Sequence, residues 1–485
     1  MEMTYFEKRG LHMKHLNLLL VAMFLLLIVA CGRDSAPAHT QPEPQPQPEA
    51  QAVMLAQNWA PASLLENVTS EDVKESEVSI DDVGNAVVVW CQNGKTWAAR
   101  YSALEAQWGL AEVIVPDHRS GNFAFSSEPH VAADGSGNAM VVWADPGTNP
   151  WKIWGIRFSH ASGAWEPPVL IETNAASGDS KNPRVMADAS GNFTAIWVQE
   201  DRTVWPFRTH IWASRYSASS KTWGVPRMVD TSFYSQYAGG YLQAAVDGSG
   251  NVMAVWNELN GTVANVWAAR YTASNDRWET PVMLKTNTMS GAYDLQVAMD
   301  GNGNTVAVWV EDDSNTGVVY SRRYVWMNRY FAATGQWGLS IMIPAVSLGD
   351  MFNPQVVLDG KGEATIVGAA EGLGSNQLWT ARYDFIHDTF SVPAYLTQDE
   401  GMISKLAADR AGNELCVYMV ADGHSTVQAL AFNAGTAVWQ TAKQVSGGGW
   451  SGGYVKLAAN RKGNAIMAWA QSDGLTYHLW ASVLK

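Results

Sequence analysis

Apolar positions along this chain fall into short runs separated by glycine, asparagine and aspartate. A stretch such as HVAAD (residues 130–134) runs into one such cluster and NAMVVW (138–143) leaves it. Two β-branched runs joined through glycine and asparagine form the pattern of a β-hairpin. A third run follows, as in IWASRY (211–216) or VWAARY (266–271). The fourth begins with tryptophan and often carries proline, as in WEPPVLI (165–171), WGVPRMV (223–229) and WETPVML (278–284). Proline cannot donate to a central ladder, so this fourth run is predicted to be the outermost strand.

The four-run pattern recurs. Aligned on Asp-x-x-Gly-Asn, its copies begin at Asp81, Asp134, Asp188, Asp247, Asp300, Asp359 and Asp409, with Asn460 as the eighth, at spacings of 53, 54, 59, 53, 59, 50 and 51. Four short antiparallel strands per copy describe a propeller blade. The eighth copy stops after three runs, and its missing fourth lies at the other end of the chain, where Asn58 to Leu65 (NWAPASLL) matches the fourth-strand pattern. The prediction is an all-β, eight-bladed β-propeller over residues 56–485, closed by an N-terminal strand that completes the last blade and leaves no raw sheet edge.

Nineteen of the 23 tryptophans occupy three repeating positions: the end of strand two (Trp90, Trp143, Trp197, Trp256, Trp309, Trp469), strand three (Trp97, Trp154, Trp212, Trp267, Trp379, Trp480) and the start of strand four (Trp59, Trp108, Trp165, Trp223, Trp278, Trp337, Trp439). Periodic placement marks them as packing residues. Trp326 is assigned to the face opposite the loops. Arginine recurs at the end of strand three, at Arg100, Arg157, Arg215, Arg270, Arg323 and Arg382, with Ala431 and Val483 in blades seven and eight. Strands one and three end on the same face, so a structural ion pair with the repeated Asp, or a backbone clamp, is expected. Asp300-Gly-Asn302-Gly-Asn304 has the look of half a calcium loop but lacks the bidentate glutamate, so an Asx turn is expected.

The N-terminus reads as a leader. Lys8, Arg9 and Lys14 precede an apolar run from Leu16 to Ala30 that is short for a membrane span. It ends in Ile28-Val29-Ala30-Cys31, which resembles the lipobox of bacterial lipoproteins. The resemblance implies a signal peptide over 1–30, acylation of Cys31 (a palmitate-bearing anchor) and a place in the bacterial cell envelope. Gly32 stands where a retention aspartate would be, which favours the outer membrane. Residues 31–55, with prolines at 42, 44, 46 and 48, read as a Pro/Gln-rich extended tether.

Composition narrows the function classes. A formal charge of −14 disfavours nucleic acid as partner, and three cysteines exclude a disulfide scaffold. Cys91 and Cys416 fall in blades that are not neighbours and read as buried strand residues. The ten histidines form no metal-ligand spacing, no nucleophile elbow or phosphate loop is present, and no cofactor is expected. The repeats resemble those of uncharacterised bacterial β-propeller lipoproteins (Asp-x-x-Gly-Asn and Ile-Trp-Ala-x-Arg-Tyr). They are only loosely similar to sialidase-like and quinoprotein-type propellers, since the sialidase Asp-box spacing is not kept.

The residues that break the repeat are the candidates for binding. Trp151 and Trp205 fall in two-to-three loops, and Trp450 in the loop between blades seven and eight; interblade loops add His118, Arg119, Tyr234 and Tyr237. Exposed aromatics beside polar groups suit sugar rings or protein hot spots. The expectation is a membrane-anchored, non-catalytic binding or scaffold module that meets an envelope protein or a glycan through this loop face. A glycan-active hydrolase or lyase of sialidase-like architecture is the alternative.

Overall fold

The computed structural model describes residues 58–66, 71–116, 128–173, 178–230, 240–260, 263–285, 291–312, 322–344, 349–371, 376–397, 400–420, 426–446 and 450–484; for residues 260, 402–404 and 450–454 it describes the backbone alone. The leader, Cys31 and the tether lie outside the described residues.

Eight antiparallel sheets follow one another along the chain, each ordered first, second, third, fourth strand. The first strands are Lys74–Ile80, His130–Ala133, Ser180–Ala187, Gln243–Val246, Ala292–Met299, Met351–Leu358, Gly401–Ala408 and Trp450–Ala459. Each packs against the first strands of both neighbouring blades, and the last packs against the first, so they wall a central channel. This is the expected eight-bladed propeller. The fourth strand is broken in two: in blade one Gln107–Trp108 and Glu112–Val115 both pair with the third strand, Lys95–Ser102. In blades one to six glycine or proline stands between the two pieces and denies the ladder a continuous set of donors and packing side chains, whereas blade seven breaks at Gln440, Thr441 and Ala442 without either.

The seam repeats this geometry. Ser63 and Leu64 pair with Ala481 and Trp480, and Trp59 bridges to Leu484. The Ala60 N–H donates to the Val483 carbonyl at 2.8 Å, as the Gly109 N–H does to the Arg100 carbonyl at 2.8 Å in blade one. The N-terminal strand therefore occupies the same register on the last blade that a continuous chain supplies elsewhere.

Tryptophan builds the body of each blade. The strand-two tryptophans are buried, and each sits opposite a strand-three tryptophan: Trp90 and Trp97, Trp143 and Trp154, Trp197 and Trp212, Trp256 and Trp267, Trp469 and Trp480. In blade five Trp309 pairs with Trp326. Trp326 is therefore the strand-three core residue of that blade, and its assignment to the face opposite the loops is corrected. In blade six Gly368 faces Trp379, where an added Cβ would lie 2.9 Å from the indole, so glycine makes room for a ring that is fully buried. The strand-four tryptophans meet the aromatic residue at the end of strand three, with centroids 5.4 to 5.6 Å apart from Tyr101–Trp108 to Phe432–Trp439.

The repeated aspartate is an Asx turn. Asp300 Oδ1 accepts from the N–H groups of Asn302 and Asn304 at 2.8 and 2.9 Å, and Oδ2 accepts from Asn304 Nδ2 at 2.9 Å. Its acceptors are spent on its own turn. The Asn304 side chain then accepts from the Ala332 N–H at 3.0 Å, locking the turn to the end of strand three.

Two expectations about the arginines need correction. The blade-five member is Arg329, opposite Val306 as Arg100 is opposite Val87, whereas Arg323 begins the strand. A direct pair with the repeated Asp forms in blade three, between Asp188 and Arg215, which also donates to the Gly250 carbonyl at 3.3 Å, while Arg157, Arg329 and Arg382 pair with other carboxylates, Glu166, Asp388 and Glu363 with Glu414. The recurring partner is instead an aromatic ring of the next blade. Arg100 lies over Phe158 at 3.8 Å, Arg215 over Tyr271 at 5.5 Å, Arg270 over Tyr330 at 5.2 Å, Arg329 over Tyr383 at 5.3 Å and Arg382 over Phe432 at 4.3 Å. Blade seven carries Ala431 where the next blade offers Leu484 in place of a ring. Nothing in the structure explains Val483, which precedes Tyr101 around the ring. Cys91 and Cys416 are buried strand residues, as expected.

Candidate functional site

The channel wall breaks the repeat in residue type while keeping its register. The residue four places before each turn Asp or Asn faces the position just before the strand-two tryptophan or its replacement: Glu77 opposite Val89, His130 opposite Val142, Arg184 opposite Ile196, Lys405 opposite Val417 and Lys456 opposite Ala468. Gln243, Gln296 and Gln355 hold the place in blades four to six. All eight are polar and half-buried. The five titratable members are consecutive around the ring, from blade seven through eight and one to three, and the glutamines fill the remaining arc.

Side chains of this band reach one another and the neighbouring strand edge. Lys456 Nζ meets Glu77 Oε2 at 2.8 Å, and Lys405 Nζ donates to Gln355 Oε1 at 3.4 Å. Burial would raise the Glu77 carboxyl, but Lys456 and, farther off, His130 and Arg184 outweigh it and pull it down to about 2. The His130 Nδ1 accepts from the Val185 N–H at 3.3 Å, which leaves its proton on Nε2. Burial pushes this imidazole down to about 4, so it is neutral near pH 7. Burial, reinforced by Lys456 and Arg184, brings the Lys405 ammonium down to about 8. Three cations against one carboxylate leave the band at about +2 when Lys405 is protonated, inside a chain whose total is −14.

A carboxylate collar lies two residues nearer the loop face, where most of the first strands bulge. Glu75, Glu128, Asn182, Asp294 and Asn353 all adopt positive φ, from 44 to 53°. The bulge swings each side chain toward the next blade. The Glu128 N–H donates to Glu75 Oε2 at 3.1 Å, the Asn182 N–H to Glu128 Oε2 at 2.9 Å, and the Asn353 N–H to Asp294. Partial desolvation, helped by Glu128, lifts the carboxyl of the exposed Glu75 to about 7, and burial raises Asp294.

The far end of the channel is spanned by an arginine. A Cβ on Gly248, in the blade-four turn, would lie 3.2 Å from Arg461 Nη2, which belongs to the opposite blade-eight turn. The Arg461 guanidinium thus crosses the opening, and its backbone carbonyl accepts from the Arg410 N–H at 3.2 Å.

The aromatic candidates separate. Trp205 is 83% exposed and meets Phe207 edge-on, with centroids 5.0 Å apart at 86°. Beside it Arg202 is held by Glu200 at 2.6 Å and Asp179 at 2.8 Å. Trp151 instead is half-buried against the cluster containing Trp197 and Tyr216, with the Lys181 ammonium 5.6 Å from its ring and its backbone N–H donating to Asp179 Oδ1 at 3.0 Å. It packs from the two-to-three loop of blade two against blade three. Trp450 opens the first strand of blade eight, but its side chain lies outside the described residues, as do His118, Arg119, Tyr234 and Tyr237 altogether.

No protein-family model matches the chain. No curated protein matches it either. Solved structures match it in architecture. It is similar to the polysaccharide lyase Uly1 (8% identity, TM-score 0.51, 91% of this chain and 94% of that one) and to the Dos1 propeller (8%, 0.51, 88% and 94%). It is also similar to the Hadza microbial sialidase Hz136 (11%, 0.41, 89% and 96%). At these identities the likeness is one of fold.

The channel band was missing from the sequence-based candidates. Its signal was available: the position four before the repeated Asp or Asn is polar in every copy, though strand-one positions on a bare scaffold need no charge there.

Proposed function

We propose that the protein is a lipid-anchored module of the bacterial cell envelope that binds a glycan or an envelope protein at the loop face of its propeller without turning it over. The observation that carries this reading is Trp205, left 83% exposed beside Phe207 on a two-to-three loop. A large apolar ring held out to water, with charged neighbours at its rim, is the form of a recognition platform. The lipobox-like Ile28-Val29-Ala30-Cys31 and the proline-rich tether support the anchored setting.

The test is capture of envelope proteins and glycans by the full chain and by Trp205→Ala. Loss of the captured partner with unchanged melting supports the reading; equal capture by both proteins refutes it. A second reading, a glycan-active hydrolase or lyase, is favoured by one observation, the Glu75 carboxyl lifted to about 7 beside Glu128 at the channel mouth. A carboxyl that exchanges its proton near neutral pH suits general acid or base work. Glycan turnover that disappears in Glu75→Gln would establish this second reading.

A further inference from the structure

We propose that the channel is a binding pocket for the acidic end of a sugar, with its carboxylate or sulfate held by Arg184, Lys405 and Lys456. This deepens the binding reading above by naming a ligand class, and it relies on that reading only for entry from the loop face.

The first ground is charge. A band of three cations and one carboxylate at a single level of the channel wall is costly to assemble, because like charges repel across a medium less polarisable than water. Glu77 is tied to Lys456 at 2.8 Å, and Lys405 has Gln355 at 3.4 Å, a neutral acceptor that leaves its charge uncompensated. Arg184 donates to the carbonyl of its own neighbour, Pro183, at 3.2 Å, also a neutral acceptor. An anion placed among these groups adds a compensation that the two neutral acceptors do not give.

The second ground is the sequence of chemistries along the channel. Above the cations, the collar presents Glu75, Glu128 and Asp294, whose oxygens accept hydrogen bonds. A bare anion gains nothing from that collar, whereas sugar hydroxyls are donors that carboxylates take well. Beside the cations, the neutral His130 has its Nε2–H to donate, and the glutamine arc offers both donors and acceptors. Below them the Arg461 guanidinium closes the far end, so a ligand entering from the loop face stops with its acidic group on the basic band. A molecule carrying hydroxyls around a ring and one anionic group fits that order of donors and acceptors.

Isothermal titration of the full chain at low ionic strength with D-glucuronate, D-glucose and inorganic sulfate tests the proposal. Glucuronate is expected to bind, more weakly as salt is added, and glucose to give no measurable heat. Arg184→Gln and Lys405→Gln should each weaken glucuronate by about ten-fold or more, the loss expected for a charge-assisted contact. Glu77→Gln should tighten it several-fold by releasing Lys456, an effect of opposite sign that damage to the fold would not produce. Equal heats for glucuronate and glucose, or full affinity in both cation variants, would overturn the site. Sulfate binding as tightly as glucuronate would overturn the sugar assignment. Trp205→Ala separates this proposal from the loop-face reading: partner capture lost there but kept in Arg184→Gln refutes the channel and leaves the platform standing.

Discussion

The outer body of the blades and the wall of the channel are built on the same register and follow opposite rules. At the strand-two position the residue is tryptophan in six blades, and its replacements, Gly368 and Tyr418, still serve packing. One residue away along the ladder, the channel partner is glutamate, histidine, arginine, glutamine or lysine according to the blade. Repetition in a symmetric scaffold marks what the scaffold needs, since each blade must solve the same packing problem. Variation among polar residues at a register position marks what the scaffold does not need, and that is where a ligand can be read.

Experiments can break this contrast at several scales. The largest effect is expected from deleting residues 53–66, which removes the strand paired with Ala481 and Trp480 and exposes two sheet edges. Its melting temperature should fall further than that of any point variant, while deleting 33–50 should leave melting unchanged; equal curves for the two truncations would refute the closure. Next in size, Trp197→Ala or Trp256→Ala removes a fully buried ring and should cost ~3–5 kcal/mol in urea unfolding. Arg270→Leu loses the contact over Tyr330 in the next blade and should cost about 1 kcal/mol. Ala431→Arg should bring no gain, because its neighbour is Leu484; a stabilisation there would contradict the interblade account.

A smaller, pH-dependent effect is expected at His210. The Asp230 carboxylate at 3.0 Å holds the imidazole above its ordinary value in spite of burial. The stabilisation it brings is complete below the unfolded value of about 6.5 and is lost as pH rises through the raised folded value. His210→Asn should remove that loss from the stability profile above pH ~6.5, and an unchanged profile would assign the slope elsewhere. Smallest of all, Gln296→Ala in the channel should shift stability by no more than ~0.5 kcal/mol, and Arg184→Gln should leave it unchanged or raise it by relieving like-charge repulsion. If they destabilise like the tryptophans, the channel wall is scaffold after all.

What was legible in the sequence follows the same division. Eight blades and the closing strand could be read because turn, tryptophan and arginine recur at fixed offsets, and the Asx reading of Asp300 holds for the same local reason. Blade five was misaligned because Arg323 and Arg329 both stand near the strand-three tryptophan, and only the pairing of Val306 with Arg329 decides between them. Trp151 does lie in a two-to-three loop, but its packing was not legible there, because its partners Asp179 and Lys181 come from the next blade, a contact that no local pattern encodes. The channel band was hidden for a further reason. The bulges between Lys74 and Glu77 or Tyr293 and Gln296 interrupt the alternation that would have announced an inward face.

The seam also sets an order of events during synthesis. Ser63 and Leu64 are made early, yet their partners Trp480 and Ala481 come some 400 residues later. At the usual pace of ~5–20 residues per second, the closing strand waits about 20–80 s before its ladder exists. Blades one to seven draw all four strands from contiguous chain and can pair as they emerge. The ring is sealed by the oldest strand meeting the newest, so a chain cut short anywhere before Trp480 leaves its first strand without a mate.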